Sequence, residues 1–268
     1  MSAPAPASWH WRSLLGCVLL MIWSAVHAQL AVPAPELAAP AQAPTAVPSD
    51  FLENAGKQVK ARWRQLYRQP PPTPSSDRLH VAFTLGALVA DNYLALQAGD
   101  AQQFRNNSQD LLNYCRVLGL AEKVTPDVMA GSKMAETEDW DALRTRMLQT
   151  QQHIEALLVE QRDEDLAILL NLGMWFRLFD ITTSLVVAEP EFKEKTLCLG
   201  SVALLDEAVV RFGRLSEATR ANESIVLIGG ALDMLQRHWS SKAGSPNQEL
   251  VELTRDKLKF IIAKLTEK

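Results

Sequence analysis

From Ser76 to the C-terminus, apolar residues recur every three or four positions, and the gaps between runs carry helix caps and stops. Ser76 or Asp77 caps a segment running to Ala98, with Gly99 placed as its stop, and Asp100 opens a second segment that ends at Gly119. Thr125-Pro126 reads as an N-cap followed by proline at the first helical position, opening a shorter helix to about Ala135. Asp139 opens the next, with Leu143, Met147, Ile154, Leu157 and Leu158 on its apolar side. Asp163 caps a strongly apolar segment through Leu185. Glu189-Pro190 opens a broken pair over 191–197 and 200–215, and segments over 221–239 and 246–265 finish the chain. No Val/Ile/Thr alternation flanked by Asn-Gly or Asp-Gly marks a hairpin, and no fixed repeat emerges. The pattern predicts an all-α fold: an irregular multi-helix bundle of about eight helices with no sheet. Short connections make sequential helices antiparallel neighbours.

Two segments, 79–98 and 166–187, are apolar on most sides, as a helix surrounded by others must be. Gly86, Gly173 and the pair Gly229-Gly230 lie inside helical patterns, where each costs about 1 kcal/mol against alanine. Close helix crossing is the reading favoured here over a backbone opening for a ligand.

The N-terminal part reads differently. Residues 1–28 place Arg12 ahead of an apolar run from Leu14 to Trp23, followed by Val26 and Ala28 at signal-peptidase positions. This is a secretory signal layout, cleaved near Ala28, so the expected location is outside the cytosol, in the periplasm. The run is shorter than the roughly 20 residues of a membrane span. Residues 29–48 are Pro/Ala-rich and read as a disordered tether. Residues 49–69 form a basic amphipathic helix, opened by Ser49/Asp50 with Asp50 and Glu53 at capping-box spacing. Residues 70–75 are a Pro-rich linker, and 76–268 form the all-α globular domain.

Removing residues 1–28 leaves 240 residues with 26 basic and 31 acidic side chains, a mild −5 that argues against nucleic acid as a partner. Cys115 and Cys198 both fall at apolar helix positions, and an oxidising compartment permits a disulfide between them. There is no Gly-x-Ser-x-Gly elbow, Gly-x-Gly-x-x-Gly loop, P-loop, His-Glu-x-x-His or Cys-x-x-Cys in the chain. His80, His153 and His238 are scattered without ligand spacing, so no metal and no cofactor is expected. The acidic cluster Glu160, Asp163, Glu164 and Asp165 lacks the glycine and oxygen-ligand spacing of a calcium loop, and helix capping explains it.

Two constellations remain as candidate sites. Asp91 and Asn92 interrupt one central apolar run, and Arg177 and Asp180 interrupt the other. Buried charges must pair or shift their pKa. An ion pair between Asp91 and Arg177 that sets the register of two core helices is the favoured reading, and a pocket for an anionic ligand is the alternative. On the amphipathic helix, Lys57, Lys60, Trp63, Arg64, Tyr67 and Arg68 suit an anionic membrane or partner surface, but docking onto the protein's own acidic body is favoured. The leading expectation is an exported non-enzymatic protein that binds or scaffolds in the bacterial envelope, with a protein partner or small molecule unidentified. A ligand-binding or catalytic bundle and a peripheral membrane protein are the alternatives.

Overall fold

A computed structural model describes residues 48–58, 61–188, 201–240 and 248–266. Those residues fold into ten α-helices and, among them, no strand. They are α1 (Pro48–Gln58), α2 (Arg78–Gln97), α3 (Ala101–Val117), α4 (Ala121–Glu136), α5 (Trp140–Glu160), α6 (Glu164–Ala188), α7 (Ser201–Gly213), α8 (Glu217–Arg220), α9 (Glu223–Ser240) and α10 (Gln248–Thr266). The signal segment, residues 29–47 of the tether, the expected helix over 191–197 and Cys198 lie outside the described residues, and Pro48, expected in the tether, opens α1.

The centre is the packing of α2 against α6. Every residue from His80 to Leu96 is buried, as is nearly all of α6 from Leu169 to Val186. Both helices are long and apolar enough to cross a membrane, yet 94% and 89% of their apolar windows lie inside the fold. They approach so closely that a Cβ on Gly86 would sit 1.8 Å from the Leu170 carbonyl oxygen. A Cβ on Gly173 would likewise sit 2.0 Å from the Phe83 carbonyl oxygen. The two glycines are therefore reciprocal notches, each receiving the other helix's backbone. Gly229 is a milder version, its missing side chain replaced by the Phe212 ring, while Gly230 faces open space.

Local signals set most of the helix ends. The Asp77 carboxylate accepts from the Leu79 and His80 amides, Asp100 accepts from Gln103, and Asp139 accepts from Ala142. Gly99 and Gly119 take positive φ just beyond α2 and α3, where a side chain would strain the turn. α4 departs from expectation. It starts at Ala121, so Pro126 lies inside the helix rather than at its first position. Thr125 is no cap either, because its hydroxyl donates back to the Ala121 carbonyl. Asp163 stands just before α6 as expected, its carbonyl accepting from the Leu166 and Ala167 amides while its carboxylate accepts from Arg78 at 2.7 Å.

The largest departure is at the N-terminal side. The expected continuous helix over 49–69 stops at Gln58, and Trp63–Leu66 forms a single 3-10 turn followed by extended chain at Tyr67. Helical periodicity was present, but tertiary contacts override it. Phe51, Leu52 and Ala55 sink into the bundle, and Phe51 meets Trp175 and Phe179 edge-on at 5.9 Å. Trp63 folds back over Gly56, where a Cβ would meet its ring at 2.8 Å. The expected capping box is also absent, since Glu53 pairs with Lys57 at 2.9 Å and with Arg144. The described residues all fall within one compact unit, Ala46–Lys268.

Gly86→Ala and Gly173→Ala should each lower stability by about 3 kcal/mol, because backbone rather than a movable side chain blocks the new methyl. Gly230→Ala, in open space, should instead raise stability by about 1 kcal/mol through helix propensity. Urea unfolding of the three variants checks both signs.

Candidate functional site

At one end of the α2/α6 contact lies a buried network of alternating charge. Asp91 on α2 accepts from Arg177 Nε on α6 at 2.7 Å with one oxygen, and from Arg68 Nε at 2.7 Å with the other. Arg177 also donates to Asp180, one turn along its own helix, and its remaining nitrogen donates to the Leu66 carbonyl at 2.7 Å. The side chains of Arg177, Asp91 and Asp180 are 4%, 9% and 6% exposed, so the pairs sit in a low-dielectric setting. Burial alone would raise the Asp91 carboxyl pKa, but the charges and hydrogen bonds of Arg68 and Arg177 outweigh it and hold it below the usual carboxylate range. Burial likewise opposes the Arg177 charge, and Asp91 and Asp180 more than restore it.

This network is a clasp. Two of its contacts, from Arg68 and to the Leu66 carbonyl, belong to residues 61–75, which run over the bundle as an irregular strap. Farther along, Tyr114 on α3 donates to the Pro72 carbonyl at 3.0 Å. Prolines cannot offer their own amides, so the strap is held through its carbonyls and its arginine.

Of the four residues expected to converge, Asp91, Arg177 and Asp180 do, and Asn92 does not. Successive helical side chains point about 100° apart. Asn92 therefore faces α3, where its amide donates weakly to Ser108 at 3.5 Å and its carbonyl oxygen has no partner. Sequence proximity placed it in the wrong constellation.

The stripe expected to face a membrane or partner is partly engaged with this chain's own residues, while Lys57 and Arg64 stay exposed. Arg64 lies 3.3 Å from Asp100, and Tyr67 donates to the same carboxylate at 3.4 Å. Arg68 is in the clasp, Trp63 packs on Gly56, and Lys57 is paired with Glu53. Lys60 lies outside the described residues. Arg64, Tyr67 and Arg68 thus contact carboxylates of this chain.

The other candidates are spent as well. Cys115 is a free thiol with no exposed surface, and burial pushes its pKa up to about 12. His153 Nδ1 lies 2.7 Å from Asp127, which also takes Arg146 at 3.3 Å. His80 is buried, with Nε2 unpartnered, and the His238 side chain lies outside the described residues. Asp165 of the acidic cluster accepts from the Ser216 amide and from the Ser216 and Thr219 hydroxyls, capping α8 from a distance. Among the described residues, no three His, Cys, Asp or Glu side chains converge as a metal site.

Sequence reasoning missed a cleft of about 410 Å³ beside the clasp, bounded by strap residues 65–72, by Arg177, Ile181 and Ser184 of α6, and by Lys259, Ile262 and Thr266 of α10. Nothing local could have placed Lys259 here. Its position follows from α10 packing on α6. No protein-family model matches the chain, and no significant match exists among curated proteins or solved structures.

Asp91→Asn should cost about 3 kcal/mol at neutral pH, because it leaves Arg68 and Arg177 facing a neutral amide. The folded pKa of Asp91 lies below the unfolded value of about 3.9. Its stabilisation is therefore complete above that value and lost as pH falls through the folded pKa. Urea unfolding from pH 7 to pH 3 should show a loss below about pH 4 that is smaller in Asp91→Asn. Cys115 should resist alkylation in the native protein and take a label on unfolding without reductant, as read by mass mapping of the peptide that carries it.

Proposed function

We propose that this chain is an exported helical protein that binds or scaffolds in the bacterial cell envelope, without catalysing a reaction. The clasp is the observation that carries this reading. It is the strongest buried constellation of charge on the core helices, and its acids and bases are engaged with one another and with a backbone carbonyl. A catalytic acid, base or nucleophile needs a free atom within reach of substrate, and here those atoms hold the strap. The Cys115 thiol is buried and held protonated, so it is no nucleophile.

Export is supported by the order of residues 1–28, with a single cation, an apolar run and small residues at a cleavage site, followed by the Pro/Ala-rich stretch 29–48. Such a stretch suits a spacer that lets a folded body stand off a surface. The working surface is then the bundle with its strap, and the partner is a protein or a small molecule. Small-molecule binding has one observation of its own in its favour, the cleft between the strap, α6 and α10.

The test is to express the chain with its own leader and weigh the envelope-extracted protein under denaturing conditions. The expected product starts at Gln29 and is lighter than the 29.7 kDa full chain by residues 1–28. A full-length product in the cytosolic fraction would overturn the export reading.

A further inference from the structure

We propose that the cleft under the strap binds a small organic monoanion with an apolar body. This deepens the binding reading above and rests on it for biological meaning, but its chemistry stands on the cleft alone. At about 410 Å³ the space is in the size range of small-molecule sites. Its apolar lining is Ile181, Ile262 and Ala263 together with strap prolines. Its charged lining is Arg68, Arg177, Asp180 and Lys259.

The charge balance decides the ligand class. Arg177 is fully engaged and is matched by Asp91 and Asp180. Arg68 gives Nε to Asp91 but keeps Nη2 without a hydrogen-bond partner. Lys259 is exposed on the rim and makes no ion pair among the described residues. Among the described residues, three cations therefore face two carboxylates, and the surplus positive charge lies at Lys259. A neutral ligand leaves that ammonium idle, and a dianion exceeds it. A monoanion such as a carboxylate or sulfonate pairs with Lys259 while its apolar part lies on Ile181, Ile262 and Ala263. The long, weak contact of Ser184 with Asp180, at 3.5 Å, leaves that hydroxyl able to turn toward the ligand.

The experiment uses the full exported chain and the fluorescent anion 8-anilinonaphthalene-1-sulfonate, with hexanoate and the neutral hexanol as competitors. The expected result is saturable binding at one site per chain, displaced by hexanoate and not by hexanol. Lys259→Glu should weaken binding about tenfold or more, and Ala263→Trp, which fills the apolar side, should abolish it. Lys264→Glu makes the same charge change on the same helix away from the cleft and should leave binding unchanged. Lys259 and Lys264 are both exposed, so neither reversal threatens the core, and far-ultraviolet circular dichroism checks all three variants. No saturable binding, equal displacement by hexanol, or equal weakening by Lys264→Glu would each overturn the proposal. None of these outcomes bears on export, which the mass of the extracted chain decides separately.

Discussion

The reciprocal notch between α2 and α6 is the constraint on which the rest of the molecule depends. Two long apolar helices gain most by touching along their whole length, but ordinary side chains keep helix axes 8–10 Å apart. Gly86 and Gly173 remove the obstruction in both directions, so each helix backbone enters the other's missing side chain. Once that contact is made, α3 and α10 pack alongside it and the remaining helices follow by short connections. Edge-on contact between the Phe83 and Phe176 rings adds apolar area between the same two helices. Two helices that by composition alone could be membrane spans are thus buried inside the bundle.

Such a close crossing leaves no room for hydration, so any charge on these helices has to be neutralised by protein. Asp91, Arg177 and Asp180 meet that demand partly among themselves and partly by recruiting chain from outside the helices. Arg68 and the Leu66 carbonyl complete the network, and in doing so they fix the path of the strap. Desolvation makes the cluster expensive and its hydrogen bonds make it specific. The result is one strap route, with α1 tucked against α6 through Phe51 and the prolines laid across α3 through Tyr114. The cleft beside the clasp is a consequence of that route, since the strap bridges from α2 toward α10 without filling the space beneath it.

Much of this protein was legible from residue order alone, because helix caps and apolar periodicity are local. Asp77, Gly99, Asp100, Gly119 and Asp139 mark their boundaries through their own backbone neighbours, and a spacing of three to four can be read without knowing what a helix touches. The all-α class, the two central helices and the crossing role of Gly86 and Gly173 were therefore determined by the sequence. So was the pairing of Asp91 with Arg177, since buried opposite charges on adjacent core helices must find each other. Tertiary structure decided what depends on distant partners. It broke the periodic segment after Gln58, because packing Trp63 on Gly56 and carrying Leu66 to Arg177 gains more than continuing the helix. It turned Arg64, Tyr67 and Arg68 onto Asp100 and Asp91, and it set Ser108 opposite Asn92. Finally, it brought Lys259 beside residues nearly two hundred positions earlier in the chain. No local pattern encodes such a meeting, because it is set by which helix faces pack together rather than by the residues on either side.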